Sequence, residues 1–284
     1  MRNVDVAGRV AELAELLTPA ERRVAHQVLT RPELIAFGTV AELAAESQAG
    51  AATVVRLATK LGYDGFTGLQ DAVQTELGKR LRPAAQRIRE PAPDDVIGRT
   101  LANELENLQA TLEQSRHAGF EIAVTHLVDP AKRIGVLSGE ASRGIATHFT
   151  GELGSLRGGV TLIDGNEVAV LRELALLSPG DVVVAIDLRR YDRWTVEALR
   201  WAREHEIEVI ALSDSALSPI AENAVAAFTV AAAGAGPFDS HVGTLALLNA
   251  IVTAAAARLK KSAAQRLDRL EMAWQRAGAL RDLG

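Results

Sequence analysis

The sequence predicts a two-part chain: an all-α unit over residues 1–81, then an α/β unit with a buried parallel sheet over 96–257. Three observations carry this. Short amphipathic segments, several with helix-start signals, fill the first unit. The stretch "RPAAQRIREPAPDD" at 82–95, dense in proline and charge, reads as a linker. Beyond it, short β-branched runs alternate with segments of helical length, the pattern of βαβ units. A basic amphipathic helix at 258–284 completes the chain.

Within the first unit, Val6, Val10, Leu13 and Leu17 fall on one face at helical spacing. "TPAE" follows, with Thr18 as cap, Pro19 at the first helical position and Glu21 closing a capping box. That helix, carrying Val24 and Val28, ends before Pro32. "TVAE" repeats the signature with Thr39 and Glu42, and its helix runs to about Ser47. The turn "SQAG" leads into a helix from about Ala51 to Leu61, with Gly62 as a left-handed terminator. A further helix buries Leu69, Val73 and Leu77.

In the second unit, Val96 to about Leu127 reads as helical, with Leu101, Leu105, Leu108 and Leu112 as a stripe. "RIGVL", "GVTLI", "DVVVAI", "EVIAL" and "AAFTV" are the strands, and the segment after Pro237 is a strongly apolar helix. This is a Rossmann-like parallel-sheet architecture.

The chain of 284 residues holds two ordinary domains, with 48% apolar and 24% charged residues, which excludes a disordered chain. It has no cysteine, so disulfides and thiolate metal sites are excluded. The first residues lack the apolar core of a signal peptide, and no uncharged apolar stretch of about 18 residues is expected to span a bilayer. The expected location is the cytoplasm. The net charge of −5 is uneven: residues 1–82 balance at 10 basic against 10 acidic, 83–257 carry 14 against 23, and 258–284 carry 7 against 3. A neutral first unit can still bear a local basic face.

Two short helices joined by a four-residue turn describe a helix-turn-helix. Val54, Leu57, Ala58 and Leu61 face inward, while Ala51, Ala52, Val55, Arg56, Thr59 and Lys60 face outward. Small residues at the start of the outer face let a backbone approach a major groove. Arg56 suits guanine or phosphate, and Lys60 suits phosphate. Ser47, Gln48, Gly50 and Thr53 complete the candidate DNA-contacting set. Spacing alone leaves a plain packing helix with solvated charges equally open.

The residues "LTPAERRVAHQVLTRPELIAFGTVAELAAESQAGAATVVRLATKLGYDGFTGLQ" resemble the N-terminal domain of the RpiR/MurR family of bacterial transcriptional regulators. "ATVVRLATKLGYDGF" is similar to that family's recognition helix and following turn, and the match spans about residues 10–77. Gly50 departs from the usual serine cap, a tolerable change. The resemblance implies DNA binding.

Ligands of a parallel sheet gather at the carboxyl ends of its strands. Three loops qualify: "SGEAS" with Ser138 and Ser142, "DLRRYDRWT", and the loop beginning at Ser213. Helix capping is the alternative role for each serine, and pairing with acidic neighbours is the alternative for the arginines. The order of elements over 96–257 is similar to a sugar isomerase (SIS) domain, with "LLSPGDVVVAI" and "VIALSDSALSPIAENA" carrying the likeness. That family holds a phosphosugar in a glycine-serine loop and a Ser-x-Ser-Gly-x-Thr loop. Here Ser138 and Glu140 stand where glycines are expected, although Ser142 keeps the serine. Asp187, Arg189, Arg190 and Asp192 replace Ser, Ser, Gly and Thr in the second loop.

The phosphosugar therefore does not carry over from the family. Glu140, Asp187 and Asp192 repel a dianion, whereas Arg189 and Arg190 can clamp a carboxylate or phosphate while Glu140 or Asp187 receives hydroxyl or amine donors. A sugar acid or an amino-bearing metabolite fits both groups. Ser240 and His241, opening the last apolar helix, are further effector candidates, with a helix cap and an exposed histidine as the alternative.

The sequence thus predicts a regulator that binds an operator as a dimer or higher even oligomer, with the 101–112 stripe and the final helix as interface material. A small anionic or sugar-like effector, a sugar phosphate among the options, would alter the spacing of two recognition helices. No catalytic residue, metal or cofactor is expected. The alternatives are a sugar-phosphate isomerase, which needs the hydroxyl-rich loop this chain lacks, and a regulator whose SIS-like domain only dimerises.

Overall fold

The computed structural model describes residues 6–13, 16–81, 83–89, 93–216 and 218–279. They form two compact units that divide between Pro83 and Ala84.

In the first unit, the described helices are α1 (Val6–Leu13), α2 (Pro19–Thr30), α3 (Pro32–Phe37), α4 (Val40–Glu46), α5 (Ala51–Lys60) and α6 (Gly65–Leu81). Both capping boxes form, Thr18 with Glu21 and Thr39 with Glu42, which fixes where α2 and α4 begin. The Thr18 backbone N–H and then the Lys60 ammonium hold the Glu21 carboxyl below its usual range. Val24, Ile35, Leu43, Val54, Leu57 and Leu69 are wholly buried in one core. Leu13 is only partly buried against it, and the side chain of Leu77 lies outside the described residues. Gly62 takes φ +84° after α5, the conformation expected of a terminator. A Cβ there would also sit 2.7 Å from Arg9 Nη1, which caps the Leu61 carbonyl at 2.9 Å.

The second unit contains α7 (Ala84–Arg87), α8 (Val96–Gln114), α9 (Ala118–Val128), β1 (Ile134–Ser138), α10 (Arg143–Leu156), β2 (Val160–Ile163), α11 (Glu167–Ala175), β3 (Val182–Ile186), α12 (Arg193–Glu204), β4 (Glu208–Ser213), β5 (Ala226–Thr229) and α13 (Val242–Ala277). All five predicted strands form one parallel sheet, in the order β2-β1-β3-β4-β5. One face packs on α9, α10 and α13 around Phe149, Ile186 and Leu247. The other packs on α11 and α12 around Leu174, Val183 and Leu199. Strand order reverses between β1 and β3, so the crevice above their carboxyl ends is the natural ligand position.

Four expectations need correcting. The 82–95 stretch includes the helix α7, which Arg87 ties to Asp239 at 2.7 Å, so it is not all linker. The expected helix from Val96 is two helices, because Ser115 caps α8 and His117 caps α9. The basic tail is not a separate element: α13 runs unbroken through 258. Finally, α13 carries an 18-residue stretch of mean hydropathy 1.6, long and apolar enough by composition to cross a membrane. Its Leu247, Leu248, Ile251 and Ala255 fill the unit's own core instead of standing free as interface. Leu101 and Leu105 of α8 are exposed, at 58% and 57%. The buried face of α8 is polar: Asn107 and Thr111 bond the backbone of Ala231 and Ala233.

Candidate functional site

The helix-turn-helix is built from both sides. Val54, Leu57 and Ala58 are wholly buried, which fixes the rotation of α5 and turns Ala51, Ala52, Val55, Arg56 and Thr59 outward. Gly50 caps α5 through extended backbone, without a side-chain bond. Gln48 in the turn adopts φ +48°, unusual for a residue with a side chain. Arg23 of α2 steadies this turn, its guanidinium donating to the carbonyls of Ser47 at 3.1 Å and Gln48 at 2.8 Å. No periodic signal in the sequence marks that role for Arg23.

Three candidates sit differently from expectation. Ser47 is buried, and its hydroxyl donates to the Leu43 carbonyl at 2.6 Å, so it closes α4 instead of facing a ligand. Thr53 is buried at 8% exposure and receives Arg56 Nη2 at 3.2 Å. Lys60 is engaged: its ammonium bonds the Leu16 carbonyl at 2.7 Å and Glu21 at 3.0 Å. Arg56 stays on the exposed face of α5, oriented by Thr53, whereas Lys60 on that face is held by Glu21.

In the second unit, the loops after β1 and β3 touch. Gly139 has to be glycine, because a Cβ there would lie 2.3 Å from Asp187 Oδ1. Glu140 is exposed at the surface, whereas Ser142 is wholly buried and its hydroxyl has no hydrogen-bond partner among the described residues. Asp187 does not face outward to receive ligand donors. Its carboxylate is 3% exposed and accepts the backbone N–H groups of Leu188 at 2.9 Å and Asp192 at 2.8 Å. Asp214 accepts the Arg189 N–H at 3.0 Å and the Tyr191 hydroxyl at 2.9 Å. Asp192 caps α12 through the N–H groups of Trp194 and Thr195. The amides that a bound anion would use are thus satisfied by the chain's own carboxylates.

Arg189 and Arg190 take φ +41° and +36°, where residues with side chains cost on the order of 1 kcal/mol or more each. The bonds from Asp187 and Asp214 hold that loop. Arg189 does not clamp free space: it pairs with Asp239 at 3.3 Å, beside Arg87. Arg190 is exposed. Ser213 is 1% exposed, and Ser240 donates to Glu104 at 2.6 Å. His241 is not the exposed residue its alternative supposed. It is half-buried against the Ala141 carbonyl, and burial depresses its pKa so that the neutral ring dominates at pH 7. Asp214, Tyr191 and the Arg87–Asp239 pair escaped sequence reasoning, since each acts across long sequence separations.

Burial raises the Asp187 carboxyl from 3.8 to about 6, against the lowering effect of its two N–H donors. The folded state therefore binds this proton more tightly than the unfolded state does. Stability falls as pH rises from about 4 to about 6, by roughly 2–3 kcal/mol from this group. Denaturant titrations across that window should show the slope flattened in Asp187→Asn relative to the parent chain. Equal slopes would refute this source.

Residues 5–80 match the model of "Helix-turn-helix domain, rpiR family", and residues 127–254 match that of the "SIS domain". The HTH-type transcriptional regulator HexR of Escherichia coli (strain K12) is 26% identical over 78% of this chain and 76% of its own length. The sugar isomerase domain of an RpiR transcription factor from Sphaerobacter thermophilus is 31% identical, over 62% of this chain and 97% of that one, with TM-score 0.56. The Vibrio vulnificus NanR protein, complexed with ManNAc-6P, shares the fold across 96% of this chain and 99% of its own, with TM-score 0.57 and 19% identity.

Proposed function

Since the chain belongs to the RpiR family of helix-turn-helix transcriptional regulators with a SIS domain, we propose that it switches transcription by reading an operator with α5 while its second unit senses a small polar metabolite. The observation that carries this is the two-sidedness of α5. Its inner face is locked by Val54, Leu57 and Ala58, and its outer face offers small residues and one oriented arginine. Ala51, Ala52 and Val55 suit thymine methyl groups, and Arg56 suits guanine or phosphate. Two copies reading a symmetric site require a dimer, working in the cytoplasm with its DNA. A coupling of about 1–3 kcal/mol between metabolite and operator would suffice to switch occupancy.

The isomerase alternative finds little support. The loop after β3 presents no hydroxyl-rich phosphate cradle, and its carboxylates are spent on backbone amides. A regulator whose second unit only dimerises would show no metabolite binding at all.

The test is selection from a random DNA library, followed by anisotropy titration of parent and Arg56→Ala proteins. The expected result is an enriched two-fold symmetric site, with the variant weakened about 10-fold or more. No enrichment by a folded protein would refute the reading.

A further inference from the structure

A cavity of about 540 Å³ opens between α11 and α12, at the carboxyl ends of β1 and β2. That volume suits a compact metabolite. Ile163 lines it together with Trp194 and Trp201 of α12. Arg193 covers one face of Trp194 at 4.5 Å and His205 stacks on Trp201 at 3.8 Å, which fixes both rings. Five carboxylates line the cavity: Glu140, Asp164, Glu167, Asp192 and Glu197. Among the described lining residues there is no lysine, arginine or histidine.

The surroundings do not cancel this charge. Arg143 pairs with Asp164 and Glu140, and Arg193 with Glu197. The starts of α11 and α12, capped by Asn166 and Asp192, add roughly half a positive charge each. A balance of about −2 remains. Next door, Asp187, Asp192 and Asp214 already occupy the amides after β3 that an incoming phosphate would need.

We propose that this cavity is the effector site, and that it takes an unphosphorylated, hydroxylated molecule bearing a protonated amine, of amino-sugar size. The ammonium meets Glu140 and Glu197, and the apolar side of the ligand lies against the tryptophans. The proposal rests on reading the second unit as effector-binding, and it narrows that reading to a cationic class. A phosphate ester is excluded by the chain's own acids. Filling the cavity would bridge the loops after β1 and β2 to the first turns of α12.

Isothermal titration of the full chain with glucosamine, galactosamine, spermidine, glucose and glucosamine 6-phosphate tests it. Glucosamine or galactosamine is expected to bind at or below millimolar concentration, and more tightly than spermidine, which has no hydroxyl groups. Glucosamine, if it is that amine, should bind at least about 10-fold more tightly than glucose or its own 6-phosphate. Glu197→Gln and Trp194→Ala, each checked for an unchanged melting curve, should weaken the amine by a similar factor, and Glu113→Gln on α8 should not. Binding by neither amino sugar, preference for the phosphate ester, or indifference to both variants would overturn the proposal. DNA titrations of the parent protein run in parallel separate the failures: specific DNA binding without amine binding sinks this inference alone.

Discussion

Ala52→Glu is expected to abolish operator binding while leaving the fold intact. Ala52 is exposed on the second residue of α5, so a longer side chain meets no packing constraint. An acid in the first turn faces the positive end of the helix and gains about 0.3–1 kcal/mol. Gly50 supplies no side-chain cap that the new carboxylate would displace. On DNA the same carboxylate stands where the helix approaches the groove, against a wall of phosphates. Affinity should drop roughly 10–100-fold per reading head, with thermal stability equal or slightly higher. An anisotropy titration and a melting curve on the same preparation report both effects.

The second large effect is on stability. Leu57 is wholly buried on the inner face of α5, in a core shared with Val54, Leu43 and Leu69. Leu57→Ala should cost about 2–5 kcal/mol, a large share of what a small helical unit possesses. Each kcal/mol lowers the melting point by about 4–8 °C in a domain of this size. The chain divides into two compact units, so calorimetry should resolve two transitions. Only the transition of the first unit should move. Leu57→Met, which keeps the volume, should cost less than about 1.5 kcal/mol. A common shift of both transitions would mean that the units do not melt separately.

Local chemistry made the architecture legible in the sequence. Thr18 with Glu21 and Thr39 with Glu42 announce helix starts three residues ahead, and both boxes are present. The β-branched runs from "RIGVL" to "AAFTV" become the five strands: β1, β3 and β4 are buried along almost their whole length, and the edge strands β2 and β5 only in part. The inward set Val54, Leu57, Ala58 and Leu61 follows from helical spacing alone.

The pairings that decide a side chain's availability were not legible. Lys60 lies on the outer side of α5 by spacing, yet Glu21, 39 positions earlier, captures it. Arg189 is free to clamp a ligand by sequence alone, yet Asp239, far along the chain, holds it. His241 reaches Ala141 across a hundred positions. Such contacts are set by tertiary packing and leave no periodic trace. The same is true of the acidic cavity, whose carboxylates come from three separate segments. In the sequence Asp187 is an open acceptor, because its departure from Ser is visible and the two amides that consume it are not.

Operator reading requires that the outer face of α5 touch DNA. The most direct measurement is the salt dependence of binding to the selected duplex, for the parent protein beside Ala52→Glu. The parent affinity is expected to lie well above that for scrambled duplex and to fall linearly in log–log form with salt. The variant should be left with only the weak sequence-independent component. Equal affinities for parent and variant, or equal binding of selected and scrambled duplexes, would contradict it.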